Sequence, residues 1–162
     1  MATGVDIAFW ILAAVTVGSA LGVVLLRNLF RAALLLILSF VGIAGLYITL
    51  NADFLAAVQV LIYVGAISIL VIFAIMLTRD AASGNPFGRL RWPALLVAAL
   101  VVATISFVVV NTQWPLSTEP PLPSTTLAIA DAMFNKFVLP FEAASVLLLA
   151  ALIGAFVMAR ER

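Results

Sequence analysis

Phe54-Leu55-Ala56-Ala57-Val58-Gln59-Val60-Leu61-Ile62-Tyr63-Val64-Gly65-Ala66-Ile67-Ser68-Ile69-Leu70-Val71-Ile72-Phe73-Ala74-Ile75-Met76-Leu77-Thr78 carries no charge from end to end. At 1.5 Å per residue a helix of this length crosses the ~30 Å hydrocarbon core of a bilayer. Backbone in lipid has no water to bond, so the run reads as a transmembrane helix and not as a strand. Working outward, similar runs occupy Ile7–Leu26, Ala32–Ala52, about Trp92–Val110 and about Phe137–Ala159, the last interrupted only by Glu142. The reading is an all-α, integral membrane bundle of five transmembrane helices. It forms a single membrane domain over residues 1–162, with helices at about 5–26, 31–50, 54–78, 92–111 and 137–159.

Composition agrees with the lipid solvent. Of the 162 residues, 66% are hydrophobic and 9% charged, and the mean hydropathy is +1.31. A soluble domain runs nearer a quarter charged. The net charge of +1 gives no support to a nucleic-acid partner. There is no cysteine and no histidine. That excludes disulfides, thiolate nucleophiles, iron–sulfur ligation by this chain, and histidine sites for haem, zinc or copper. The amino terminus up to Asp6 has no basic residue, whereas a secretory signal needs a positive n-region, so the first run is expected to be a retained helix.

Orientation follows from the basic residues. In an alternating five-span topology the seven arginines, at 27, 31, 79, 89, 91, 160 and 162, share one side, and the lone Lys136 takes the other. The positive-inside rule then sets the amino terminus outside and the carboxyl terminus in the cytoplasm. Arg27–Arg31 reads as a tight hairpin. Ser83-Gly84-Asn85-Pro86 is a turn cluster in the cytoplasmic connection. The longest connection, about 112–136, is external. Its Pro115, Pro120, Pro121 and Pro123 favour extended chain, and Thr125–Phe134 reads as a short interfacial helix.

Three features carry possible function, each beside a plainer reading. Gly18 and Gly22, with Ala14 before them, form a small-residue face that packs either within the chain or on a partner subunit. Gln59 and Tyr63, four apart, put polar groups deep in the third span, with Gly65 two residues on. They form either a polar patch with a close-packing glycine or a hinge, because glycine permits bends and π-bulges. Glu142 follows Pro140. It is either an acid favoured by the helix dipole in the first turn or a proton-relay or partner-pairing acid. No metal set and no nucleophile–base pair stands out, which disfavours a self-contained membrane enzyme. The remaining classes are a subunit of a larger complex and, as the alternative, a small stand-alone transporter or a subunit of a multi-subunit cation/proton antiporter.

Asn51–Leu77, with Tyr63-Val64-Gly65-Ala66 at its centre, resembles subunit J of proton-pumping NADH-quinone oxidoreductase, respiratory complex I, whose mitochondrial counterpart is NADH dehydrogenase subunit 6. Arg27-Asn28 with Ala32-Ala33-Leu34, and the run from Leu139 through Glu142 to Leu149, match the same family in order and spacing. Asn51-Ala52-Asp53-Phe54 and Leu61-Ile62-Tyr63 also resemble the photosynthetic-type relative, which takes electrons from ferredoxin and reduces plastoquinone. The resemblance implies a subunit of a proton-translocating oxidoreductase with no catalytic centre, cofactor or metal of its own. FMN, iron–sulfur clusters and quinone would lie in partner subunits. It implies packing beside subunits like A, K and H in a bacterial cell (inner) membrane. It also implies that the third span passes between α and π-bulged forms to gate a water path. On that reading Tyr63, Gly65 and Gln59 serve gating and coupling.

Overall fold

The computed structural model describes residues 3–78, 91–114 and 125–160. The turn cluster at Ser83–Pro86, the prolines between 115 and 123, and Arg79, Arg89 and Arg162 lie outside the described residues. Among those described, every regular element is helical. Helix α1 spans Gly4–Leu25 and α2 Leu29–Thr49. The third span, Asp53–Leu77, is built from α3 (Asp53–Val58), a π-helical segment (Gln59–Ile67) and α4 (Ser68–Leu77). Helix α5 covers Arg91–Asn111, α6 Thr125–Asn135 and α7 Val138–Ala159. Five helices are long and apolar enough to cross a membrane, and the protein is a multi-pass membrane protein.

Local chemistry sets the ends. The Asp6 carboxylate accepts from the Thr3 N–H and hydroxyl, each at 2.8 Å, which closes the start of α1. The Asn28 side chain caps α2 by accepting from the Arg31 N–H at 3.1 Å. Only Leu26, Arg27 and Asn28 separate α1 from α2, the tight hairpin expected. Helix α2 stops because Asn51 takes a left-handed φ of 57°, a conformation asparagine tolerates better than most residues. The Ala52 N–H then reaches back to the Tyr47 carbonyl at 2.9 Å, and the Asn51 N–H to that of Ile48 at 3.1 Å. Pro93 and Pro140 sit in the first turns of α5 and α7, where a missing N–H costs nothing.

The core sits between α1, α2 and the third span, and it is made of small residues. Ala32, Ala33, Ala44 and Ala56 are its buried apolar members, joined by Ser19, Ser39, Gly42, Gln59 and Ser68. Small side chains let helices approach where lipid supplies no hydrophobic drive between them. The closest approach is at α1–α2. A Cβ on Gly42 would strike the Thr16 hydroxyl and come within 3.4 Å of the Thr16 Cα, and one on Gly45 would meet Leu12 at 2.8 Å. Gly22 faces Leu35 across the same seam, whereas Gly18 looks into open space. The Gly18/Gly22 pair is therefore split: Gly22 packs inside the chain and Gly18 does not.

Helix α6 leans on α3 and α7, and the Phe134 and Phe141 rings meet edge-on with centroids 5.2 Å apart. Among the described residues α5 packs against no other element, and α7 only against α6.

Candidate functional site

The third span leaves the α register at Gln59 and regains it at Ser68. Nine residues, Gln59–Ile67, are π-helical, far more than the single-turn bulge that π geometry usually takes. Gln59 opens the segment and is 7% exposed, so its amide is held inside the helix cluster. Tyr63 is placed differently. Its ring meets the Phe40 ring of α2 edge-on, at 5.3 Å between centroids and 68° between planes. Its other side is open, leaving it 43% exposed on this chain. The shared face expected for the two polar residues is thus unequally covered: Gln59 is buried, whereas Tyr63 is touched by α2 at one edge.

Gly65 is not a close-packing glycine in this arrangement. A Cβ there would meet only the Val60 carbonyl oxygen, at 3.4 Å, within the same helix. No neighbouring helix presses on it among the described residues, so packing does not explain the glycine. The adjoining Ser68, at 2% exposure, donates its hydroxyl to the Tyr63 carbonyl at 2.6 Å.

Glu142 is the fifth residue of α7, one residue beyond its first turn. The helix starts at Val138, and its first turn holds no acid. Dipole stabilisation fades beyond that turn, so the dipole explanation weakens. The Glu142 carbonyl accepts from the Ser145 hydroxyl at 2.7 Å, while its side chain is exposed. Gln59, Tyr63 and Gly65 share the π segment, whereas Glu142 stands on α7, which among the described residues packs only against α6. An open groove of about 600 Å³ runs along α2 and the third span, lined by Ala44, Ile48, Asp53, Ala56, Ala57 and Val60. Groups of acids, histidines or cysteines able to hold a metal ion do not occur among the described residues.

The model of the family described as NADH-ubiquinone/plastoquinone oxidoreductase chain 6 matches residues 19–158, which include the whole π segment and Glu142. The chain belongs to that family. It is similar to the NAD(P)H-quinone oxidoreductase chain 6 of Leptolyngbya boryana, at 49% identity over 99% of this chain and 83% of the relative. It is also similar to the F(420)H(2) dehydrogenase subunit J of Methanosarcina mazei, at 45% identity over 94% of this chain and 89% of the relative. A third relative, the chloroplastic subunit 6 of Psilotum nudum, is 38% identical over 88% of this chain and 82% of its own length. The resemblance to subunit J read from the third span is therefore correct, and this chain-6 protein is a membrane subunit of an oxidoreductase complex.

Two parts of this chain-6 protein were not singled out in its sequence. One is the seam of Gly42 and Gly45 in α2; the signal was there, as Ser39, Gly42 and Gly45 repeat at intervals of three along a single face. The other is Ser68. One serine in an apolar run carries no pattern, and its part emerges only once the register of the helix is known.

Proposed function

We propose that the chain is a coupling subunit of a complex I-type enzyme, linking quinone reduction by NADH to proton translocation, with the third span as its conformational gate. The single observation that supports this is the π register of Gln59–Ile67, which falls on the Tyr63–Gly65 segment that the family resemblance marks. A helix that passes between π and α forms turns everything beyond the change by roughly 100° for each residue inserted. Ile67, Leu70 and Phe73 would swing with it, and apolar side chains there admit or exclude a file of water. The chain would hold no cofactor; FMN, iron–sulfur clusters and quinone belong to partner subunits. Subunits like A, K and H would cover α5 and α7 in a bacterial cell (inner) membrane. The relatives' names carry two electron donors, NAD(P)H and reduced F420, and the donor is read by partner subunits in either case. The test is proton uptake per electron in vesicles holding the assembled complex. A variant whose third-span register changes while its proton yield stays the same overturns the gate.

Glu142→Gln separates the two roles of that acid. Its place beyond the first turn argues for pairing with a partner or relaying protons, so proton yield or complex yield should fall by severalfold. A loss of no more than about 1 kcal/mol in stability, with pumping intact, would return it to a dipole-stabilising role.

The orientation, amino terminus outside and carboxyl terminus cytoplasmic, rests on the arginine asymmetry. On this cysteine-free background, Ser83→Cys should react with an impermeant maleimide from the cytoplasmic side and Ser117→Cys from the external side. The opposite labelling pattern reverses the topology.

A further inference from the structure

Eight serine and threonine hydroxyls in the described helices and their caps donate to main-chain carbonyls of their own helix. Thr16, Ser19, Thr78, Thr104 and Thr112 each reach back four residues, and Thr49 and Ser145 three. Ser68 is the exception: it reaches back five, to Tyr63, at 2.6 Å. That reach exists only where a turn is widened, since in an α-helix the carbonyl five residues back lies too far round the axis. The Ser68 N–H is shared between the Gly65 and Tyr63 carbonyls. One carbonyl thus accepts from both donors of one residue, at the last turn before the α register returns.

Burial makes this bond consequential. Ser68 is 2% exposed, below the other buried polar residues Ser19, Ser39 and Gln59. Its hydroxyl has no water to turn to and must donate within the helix. For the third span to become α-helical, the Tyr63 carbonyl must accept from the Ile67 N–H instead, and the hydroxyl must let go and find the Val64 carbonyl. Bonding of that i−4 kind bends an α-helix and slightly destabilises it.

We infer that Ser68 is a positioning residue that latches the third span in its π register by donating its hydroxyl to the Tyr63 carbonyl. The inference rests on the gating reading for its importance, but it is a statement about helix register and stands or falls separately.

The test uses the whole complex in lipid nanodiscs, imaged by electron cryomicroscopy and sorted by the register of residues 59–67. Ser68→Ala should lower the ratio of π to α particles by more than about twofold and up to about fivefold, the upper figure being a whole net hydrogen bond and the lower one allowing for a poorer bond to Val64 in the α form. Ser68→Thr keeps a hydroxyl and should restore the ratio. Ser19→Ala removes a buried hydroxyl from α1 and should leave it unchanged. If Ser68→Ala does not assemble, Ser68→Cys carries the same expectation, because a thiol is a weak donor. A ratio for Ser68→Ala within about twofold of the parent, too small for a lost hydrogen bond, overturns the latch, and so does an equal shift in Ser19→Ala. A shifted register with unchanged proton yield keeps the latch and removes the gate. An unchanged register removes the latch whatever the protons do.

Discussion

Gly42→Val should all but eliminate the assembled complex from the membrane. The added Cβ would fall on the Thr16 hydroxyl and within 3.4 Å of the Thr16 Cα, and a main-chain atom cannot swing aside as a side-chain tip can. Helices α1 and α2 would have to separate, and their seam is the tightest in the chain. Overpacking of this kind costs about 1–3 kcal/mol, and main-chain contact puts this case at the upper end. Separation would also loosen Leu12 from Gly45 and Leu35 from Gly22, which share the seam, so the losses would compound. Complex yield on native gels should drop about tenfold or more, the factor that 1.4 kcal/mol and above makes in an equilibrium. Gly18→Val is the comparison. Nothing lies within 4 Å of a Cβ there, so the fold of the chain itself should tolerate it. If Gly18→Val also removes the complex, Gly18 docks on a partner. If Gly42→Val assembles normally, the α1–α2 seam is wrongly placed.

Gly65→Val should uncouple the enzyme while leaving it assembled. In the π register the first added carbon meets only the Val60 carbonyl, at 3.4 Å, so this form accommodates the substitution with little change. The difficulty comes with movement. A β-branched side chain has essentially one rotamer in an α-helix, and rotation by roughly one residue's worth carries it to a new azimuth against whatever lies there. A penalty of about 1–3 kcal/mol on one of two forms changes their ratio by about fivefold to a hundredfold. Electron transfer from the donor should persist, while the proton-to-electron ratio in vesicles falls toward the fraction of complexes still able to switch. Ala57→Val adds similar bulk on the same helix outside the π segment and should leave the ratio alone. Equal behaviour of the two variants, with pumping intact in both, would show that the glycine is not a hinge.

How far the sequence told this in advance differs from element to element. The five spans were legible because lipid admits so few charges that each crossing is an uninterrupted apolar run. The hairpin after α1 was legible because only a few residues separate two such runs. The departure from α geometry around Tyr63–Gly65 was legible only as one of two readings. A polar residue and a glycine inside a helix say that something unusual occurs, but not that nine residues adopt the π register. The setting of that segment is tertiary: α2 supplies Phe40 at one edge of Tyr63, and Gln59 is buried. Glu142 sits at the margin of the first turn: the span expected from about 137 starts at Val138, which makes the acid the fifth residue of the helix. A helix boundary is known from pattern alone to a few residues at best, and here that margin decides whether the dipole reaches the acid.

The unequal coverage of the helices has a consequence for how the chain is made. Helices α1 and α2 find each other across a three-residue link as soon as the second has left the ribosome, and their pairing draws only on neighbours in the chain. The third span can then settle on α2. Helix α5, made afterwards, packs against no other element among the described residues. Helix α7, which carries Glu142, rests only on α6 among the described residues. Biogenesis of this subunit should therefore divide in time, with an amino-terminal half that can pair from its own helices and a carboxyl-terminal half that settles on joining the complex.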